Sequence, residues 1–506
     1  MFDKVKLRSK GSNPVAAVPA ATPGQPPSTR QIYQSRKNFG VNIGACFVSE
    51  KWIFHELFGE NVPEFELAAV EAMVRAKGLD GAKSTFENFW SNFMNDNDWR
   101  WLQDNQVTSV RIPIGYWDVA GGRFTKGTQF EKYGSSVYSG AWNIFKEKFV
   151  KPAGKHNISV LVDLHGLPGG ANSSDHSGEK SGGLAAFWSN EKFQLQVAEM
   201  LTFIARDLQQ FENISGIQVV NEAEFAQEPA SKQTTYYVAA LNLIREADSG
   251  IPVIISDGWW TDQWVRFIQK HQQNNNSLGL IIDHHVYRCF SKEDKDKSPM
   301  RIIEDLNNDV LTNLTDNGKG VDIMVGEFSC VLDQQSWNKD GAQGRRDELV
   351  IQYGNRQCDL INERAGMGFY FWTYKFQSGN GGEWDLKQMV EKGAIRNPFS
   401  VNGKRLPDRS MFEQAYNQAM QGHVGYWSGT DPGGRYEHER YGEGFTTAWA
   451  DAEEFAKFNG SVLGRVEAWR IARLSEHIRA RGALGYLWEW EQGFYEGLKQ
   501  FHSNVR

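Results

Sequence analysis

Apolar positions bunch into eight runs of strand length: Phe39–Gly44, Val107–Ile114, Ile158–Leu164, Ile217–Val220, Pro252–Ser256, Leu278–Ile282, Ile323–Val325 and Gly368–Trp372. Their continuous apolar character, without apolar–polar alternation, predicts strands buried on both faces. Between the runs the spacing becomes helical. Phe193, Val197, Met200, Leu201, Ile204 and Leu208, for example, all fall on one stripe of a helix. Eight buried strands, each followed by a helix, predict a parallel sheet. Closed on itself, that sheet is an α/β fold of the (β/α)8 TIM-barrel type. The rival, an open doubly wound sheet, would usually carry a Gly-rich phosphate turn after its first strand, and none is present.

The flanks read differently. Residues 1–36, rich in Pro, Ala, Ser and basic residues, are expected to form a disordered N-terminal tail. The barrel is expected over 37–410. The strand rhythm stops after about residue 405, and residues 426–445 read as a polar, Gly-rich connection. From 446 onward the pattern is helical, with Ile471, Leu474 and Ile478 on one face. Residues 411–506 are therefore expected to form a helical extension, its part from 446 onward as two or three helices docked on the barrel, because helices this short are marginal alone.

Composition narrows the function. A net charge of −7 argues against nucleic acid or an anionic membrane as the main partner. The first thirty residues lack a continuous apolar segment of the signal-peptide kind, and no run is long enough to span a bilayer. The expected compartment is the cytoplasm. Cys46, Cys289, Cys330 and Cys358 are scattered without metal-site spacing and are expected to be buried free thiols. Trp (18), Tyr (16) and Phe (31) are abundant enough to suit stacking on pyranose faces, although large cores use the same residues.

The candidate chemistry lies where the apolar runs end. Asn42, Arg111, His165, Asn221-Glu222, His285, Glu327 and Trp372 all stand at or near such ends, and in a barrel those ends converge on one rim. Leaving an Asn-Glu pair unpartnered in a core costs a few kcal/mol, so a strand tipped with one is expected to deliver it to an open site. Two strand-end glutamates, Glu222 and Glu327, are the minimum equipment for cleaving a glycosidic bond. Arg111, inside a strand, needs an anionic partner.

The motifs NFGVNIGACFVSEKWIF, RIPIGYW, VLVDLHGLPGG, IQVVNE, DHHVYRCF, VGEFS and GFYFWTYKF cover residues 38–375 in order. With them the chain resembles glycoside hydrolase family 5 of clan A. It is most similar to the fungal exo-β-1,3-glucanase and β-glucosidase branch, and within it to uncharacterised intracellular members that share a C-terminal helical extension. The resemblance implies a retaining hydrolase that releases terminal β-linked glucose, with Glu222 as acid/base and Glu327 as nucleophile. It implies substrate contacts from Glu50, His165, Asn221, His285, Tyr287 and Trp372, with Arg111 beside the nucleophile. His176 and His284 match no such position. Two carboxylates call for no metal and no organic cofactor. The implied substrate is a β-glucoside or short β-glucan. The alternatives are a glycolipid such as a steryl glucoside or glucosylceramide, or a non-catalytic carbohydrate-binding barrel. The chain departs from the family pattern at Ala45-Cys46, in the loop Gly169 to Gly178, and at Ala223, where proline is common.

Overall fold

The computed structural model describes residues 13–17, 24–272, 276–483 and 485–506. The chain divides into two compact units, one comprising 1–18, 38–271 and 278–398, the other 19–37, 272–277 and 399–506.

The first unit is a closed barrel in which eight parallel strands pair in chain order. They are β1 (Asn38–Asn42), β2 (Ser109–Gly115), β3 (Ser159–Gly166), β4 (Ile214–Gln218), β5 (Val253–Ser256), β6 (Leu280–Val286), β7 (Asp322–Phe328) and β8 (Gly368–Phe371). Each of the eight apolar runs overlaps one strand. The barrel axis is filled in layers. Leu161, Ile254, Ile281, Met324 and Tyr370 form an apolar layer with Met367. Two residues further along three of these strands, on the same face, the side chains become polar, at Asp163, Ser256 and Asp283, with Arg111 and Gln218 beside them. That switch from apolar to polar marks the floor of the site.

Among the described residues, the second unit contains four long helices, Arg409–Thr430, His438–Lys457, Val466–Arg481 and Leu487–Asn504. They enclose their own core, centred on Phe445, Trp449, Phe455, Leu474, Trp490 and Phe501. The expected connection over 426–445 is thus mostly helical, with a break only at 431–437. Two of its glycines, Gly442 and Gly444, misled the reading because they are packing residues. A methyl group on Gly444 would collide with the Trp490 carbonyl, and one on Gly493 with the Tyr441 carbonyl. Glycine here allows two helices to approach backbone to backbone. Gly493→Ala is expected to destabilise this unit by about 1–3 kcal/mol, read as a fall in its thermal unfolding midpoint. An unchanged midpoint would refute the close approach.

The expected disordered tail also needs correction. Residues 1–12 and 18–23 lie outside the described residues, but Thr29–Ser35 is a helix opened by a capping box between Ser28 and Gln31. It belongs to the second unit, where Ile32 joins the core and Tyr33 packs edge-on against Phe458. Composition could not reveal it, because two buried side chains decide the matter and they bury against residues over 400 positions away. All four cysteines are free and buried. Among the described residues, no helix is long and apolar enough to cross a membrane.

Candidate active site

The polar layer is built around Arg111. Its guanidinium, 0% exposed, donates to Asn42 Oδ1 (2.8 Å), Gln218 Oε1 (3.0 Å), Asn221 Oδ1 (2.7 Å) and Glu327 Oε1 (2.9 Å). It also pairs with Asp163 at 3.0 Å and lies 3.9 Å from Asp283. Burial disfavours its charge, but these three carboxylates outweigh burial and raise its pKa. Lysine has neither the planar fork nor the number of donors to replace it.

Glu327 reaches the site through a local irregularity. His284 pairs with Val325, whereas His285 pairs with Glu327, so the β6–β7 register shifts by one residue at Gly326. Simple alternation from Met324, which faces the axis, would turn Glu327 outward; the bulge brings it in. Glycine is required at 326 because the Asp283 carboxylate occupies the space a side chain would fill and accepts the Gly326 N–H at 2.7 Å. Glu327 Oε2 then accepts a hydrogen bond from the Tyr287 hydroxyl at 2.8 Å.

Glu222 lies four residues beyond the end of β4, in a left-handed backbone conformation (φ 40°) that is costly for a residue with a side chain. Asn172 holds it there by donating to its carbonyl at 2.8 Å. The carboxylate is gripped by two imidazoles. His285 Nδ1 lies 2.8 Å from Oε1, and His176 Nε2 lies 3.1 Å from Oε2. Burial pushes the Glu222 carboxyl up, but the hydrogen bonds and charges of His176 and His285 overcome it and hold the pKa well below the usual range. His285 donates its other nitrogen to Asp283 (3.0 Å) and lies 3.6 Å from Glu327. Burial opposes its charge, yet Glu327, Asp283 and Glu222 together lift its pKa well above the ordinary histidine value. One carboxylate oxygen of Glu222, one of Glu327 and a His285 nitrogen all lie within 4.8 Å of one another.

These groups open into a cavity of about 1390 Å³ lined by, among others, Glu50, Trp52, His165, His176, Asn221, Trp259, Tyr287, Phe290, Trp372 and Trp384. A model of the cellulase family (glycosyl hydrolase family 5) matches residues 72–378, more than half of the chain and most of this barrel. The chain belongs to glycosyl hydrolase family 5. A second model, the C-terminal domain of glucan 1,3-beta-glucosidase 3, matches residues 409–505 in the helical unit. The chain is 38% identical to an "uncharacterized glycosyl hydrolase" of Saccharomyces cerevisiae over 99% of its length and 98% of the relative's. It is 35% identical to glucan 1,3-beta-glucosidase 3 of Schizosaccharomyces pombe, over 92% and 95% respectively. Rutinosidase from Aspergillus niger shares the fold, with a TM-score of 0.56, 18% identity and coverage of 72% of this chain and 98% of that one.

In this family 5 glycoside hydrolase, Glu50, His165, Asn221, Glu222, His285, Tyr287, Glu327 and Trp372 all gather at the β-strand C-terminal ends. Arg111 lies beneath them, 0% exposed, and donates to Glu327 and Asn221; neither it nor His285 forms part of the cavity wall. His165 donates Nδ1–H to Asp163 (2.8 Å), which leaves Nε2 to accept from Asn221 Nδ2 (3.3 Å). Its ring also lies parallel to that of Trp372, with centroids 6.1 Å apart. Glu50 accepts from the Trp52 indole at 2.8 Å. His284 points elsewhere, to Asp257 at 2.7 Å.

Sequence reasoning missed His176, Asp163 and Asp283. The two aspartates had a signal, since each stands two residues before a site histidine and so shares its strand face. His176 had none: it lies in the loop after β3, whose path is decided by tertiary packing.

Proposed function

We propose that this enzyme is a retaining exo-β-glucosidase that removes terminal β-linked glucose from short β-1,3-glucan chains. The observation that carries this reading is the approach of one carboxylate oxygen of Glu222 to within 4.8 Å of one of Glu327, too close for the wide spacing that inversion needs. Inverting enzymes hold their two carboxyls about 6.5–9.5 Å apart to admit a water molecule, and retaining ones about 5–5.5 Å apart. Glu327, which accepts hydrogen bonds from Arg111 and Tyr287, attacks the anomeric carbon and forms a glycosyl-enzyme. A proton delivered through Glu222 goes to the departing oxygen. Glu222 then takes a proton from the water that attacks the anomeric carbon, and glucose leaves with its configuration retained. Asn221, whose Oδ1 accepts from Arg111 and whose Nδ2 lies 3.3 Å from His165 Nε2, keeps one Nδ2 hydrogen to meet the sugar 2-hydroxyl. Trp372 supports the ring, and Glu50 binds hydroxyls of the terminal glucose. The four buried thiols suit a reducing compartment, and we place the enzyme in the cytoplasm.

The deciding experiment is hydrolysis of p-nitrophenyl β-D-glucopyranoside and laminari-oligosaccharides, with the product anomer followed by NMR. β-Glucose appearing first is expected. α-Glucose first would overturn the mechanism, and no turnover of either substrate would overturn the activity. A glucoside with an apolar aglycone, such as a steryl glucoside, is a second reading, favoured by the cavity mouth. Trp52, Trp259 and Phe290 line it while remaining 49%, 52% and 66% exposed. A higher kcat/KM on steryl glucoside than on laminaribiose would select it.

The proton needed by the leaving group is shared between Glu222 and His176. Burial opposes charge on His176, but the facing Glu222, with Glu50 and Glu327 beyond it, raises the imidazole to about 9. A raised histidine keeps its proton until the pH approaches that value, so the pair titrates as a unit and supplies a proton up to about pH 9. In His176→Asn one of the two imidazoles that hold Glu222 down is gone, and the carboxyl must carry the proton without it. The alkaline limb of the kcat/KM profile is expected to move from near pH 9 down toward the carboxylate range, with the acid limb unmoved. Superimposable profiles for wild type and variant would refute the shared proton.

A further inference from the structure

We propose that the helical unit holds a divalent cation, of which Zn²⁺ has the fitting chemistry, between His423, His438 and Glu489. The three residues come from three different helices: Arg409–Thr430, His438–Lys457 and Leu487–Asn504. His423 Nε2 lies 2.9 Å from Glu489 Oε2, and His438 Nδ1 lies 2.8 Å from the same oxygen. The two nitrogens and the oxygen are all within 4.8 Å of one another. Two imidazoles and a carboxylate form a ligand set that suits zinc and leaves a fourth position for solvent.

Zinc bonds of about 2.0–2.1 Å at tetrahedral angles put ligand atoms roughly 3.3 Å apart. Admitting the ion requires the two imidazoles to draw back by about half an ångström, which replaces each N–H donated to the carboxylate by a bond to metal. Glu489 is the reason a cation is wanted. It is 0% exposed, and among the described residues its ion pairs are with these two imidazoles alone. Arg440, on the helix that carries His438, turns instead to Glu437 and His477. A buried carboxylate facing two imidazoles, with no lysine or arginine to balance it, is costly in an apolar surround, and a divalent ion reverses the sign of that charge.

The surroundings hold the ligands in place. Tyr441 stacks on His423 with centroids 4.0 Å apart, Tyr436 lies parallel to His438 at 5.2 Å, and the Glu437 N–H fixes Glu489 Oε1 at 2.8 Å. Entry is from the side of His438, whose side chain is 24% exposed, against 5% for His423. The ion would clamp three helices at one end of the bundle, a structural role separate from catalysis.

The test uses the full chain, stripped with a chelator and retitrated with Zn²⁺ alone, bound metal being counted by mass spectrometry. The active site also brings two carboxylates and an imidazole together, so His438→Gln and Glu222→Gln are titrated in parallel. One tightly held equivalent is expected in wild type and Glu222→Gln, with zinc raising the unfolding temperature by several degrees. His438→Gln should lose both. Zinc retained equally by His438→Gln, or no bound zinc and no thermal shift in wild type, would overturn the proposal. Because the wild-type titration stands alone, the proposal remains testable even if the variant folds poorly.

Discussion

Glu327→Gln should lower kcat/KM on p-nitrophenyl β-D-glucopyranoside by at least ~10⁴-fold, about 5.5 kcal/mol of transition-state stabilisation. Glutamine keeps the shape and the Tyr287 contact but cannot form the glycosyl-enzyme. The fold should survive, since Arg111 retains Asp163 at 3.0 Å and Asp283 at 3.9 Å as counter-charges. An unfolding temperature near that of wild type would separate lost chemistry from lost structure. A stricter readout comes from Glu327→Gly with azide. With the nucleophile removed, azide enters from the vacated face and displaces an activated leaving group directly, giving the α-glucosyl azide. Recovery of activity with that product assigns the nucleophile. A β-glucosyl azide, or a variant as active as wild type, would contradict the assignment.

Glu222→Ala should fail in a different way, and the difference carries the information. A glucoside whose leaving group needs no protonation, such as the 2,4-dinitrophenyl compound, should still glycosylate Glu327. Its turnover should then stall, because no base activates water for the second step. The glycosyl-enzyme is expected to accumulate and to appear in intact mass as one added hexose residue. Alkyl glucosides, which need the acid in the first step, should lose about 10²–10⁴-fold. Azide should release the trapped sugar as the β-glucosyl azide, opposite to the product from the Glu327 variant. Equal losses on good and poor leaving groups would show that Glu222 supplies no proton. Removing this carboxylate also takes an anion from beside His176 and His285, so the variant should lower the pKa of both imidazoles.

Much of this could be read from the chain before folding. The strand-end positions of Asn42, Arg111, His165, Asn221, Glu222, His285 and Glu327 follow from where the apolar runs stop; His165, Asn221, Glu222 and Glu327 line the cavity, while Asn42, Arg111 and His285 are buried beside them. Placement at the rim did not decide what each side chain does there. Arg111 and Trp372 look alike as run-end residues, yet one is sealed beneath the site while the other forms its wall. Glu222 lies beyond its strand in a left-handed conformation that no apolar pattern announces. The stretch 426–445 was misread because glycine means a turn in isolation and a close helix contact in a bundle.

The sequence by itself determined the closed barrel, its order of strands and the pair of glutamates, because these rest on local periodicity: a run buried on both faces, ended by a polar residue, carries its own signal. Tertiary structure alone decided the partners. Arg111 pairs with acceptors 52 to 216 positions away, His176 reaches Glu222 from a loop, and Gly326 takes a bulge because Asp283 of the neighbouring strand fills its space. The helix at Thr29–Ser35 joins a core formed by the last hundred residues. Contacts of this kind depend on distances through space between residues far apart in the chain, and such distances exist only once the chain has closed.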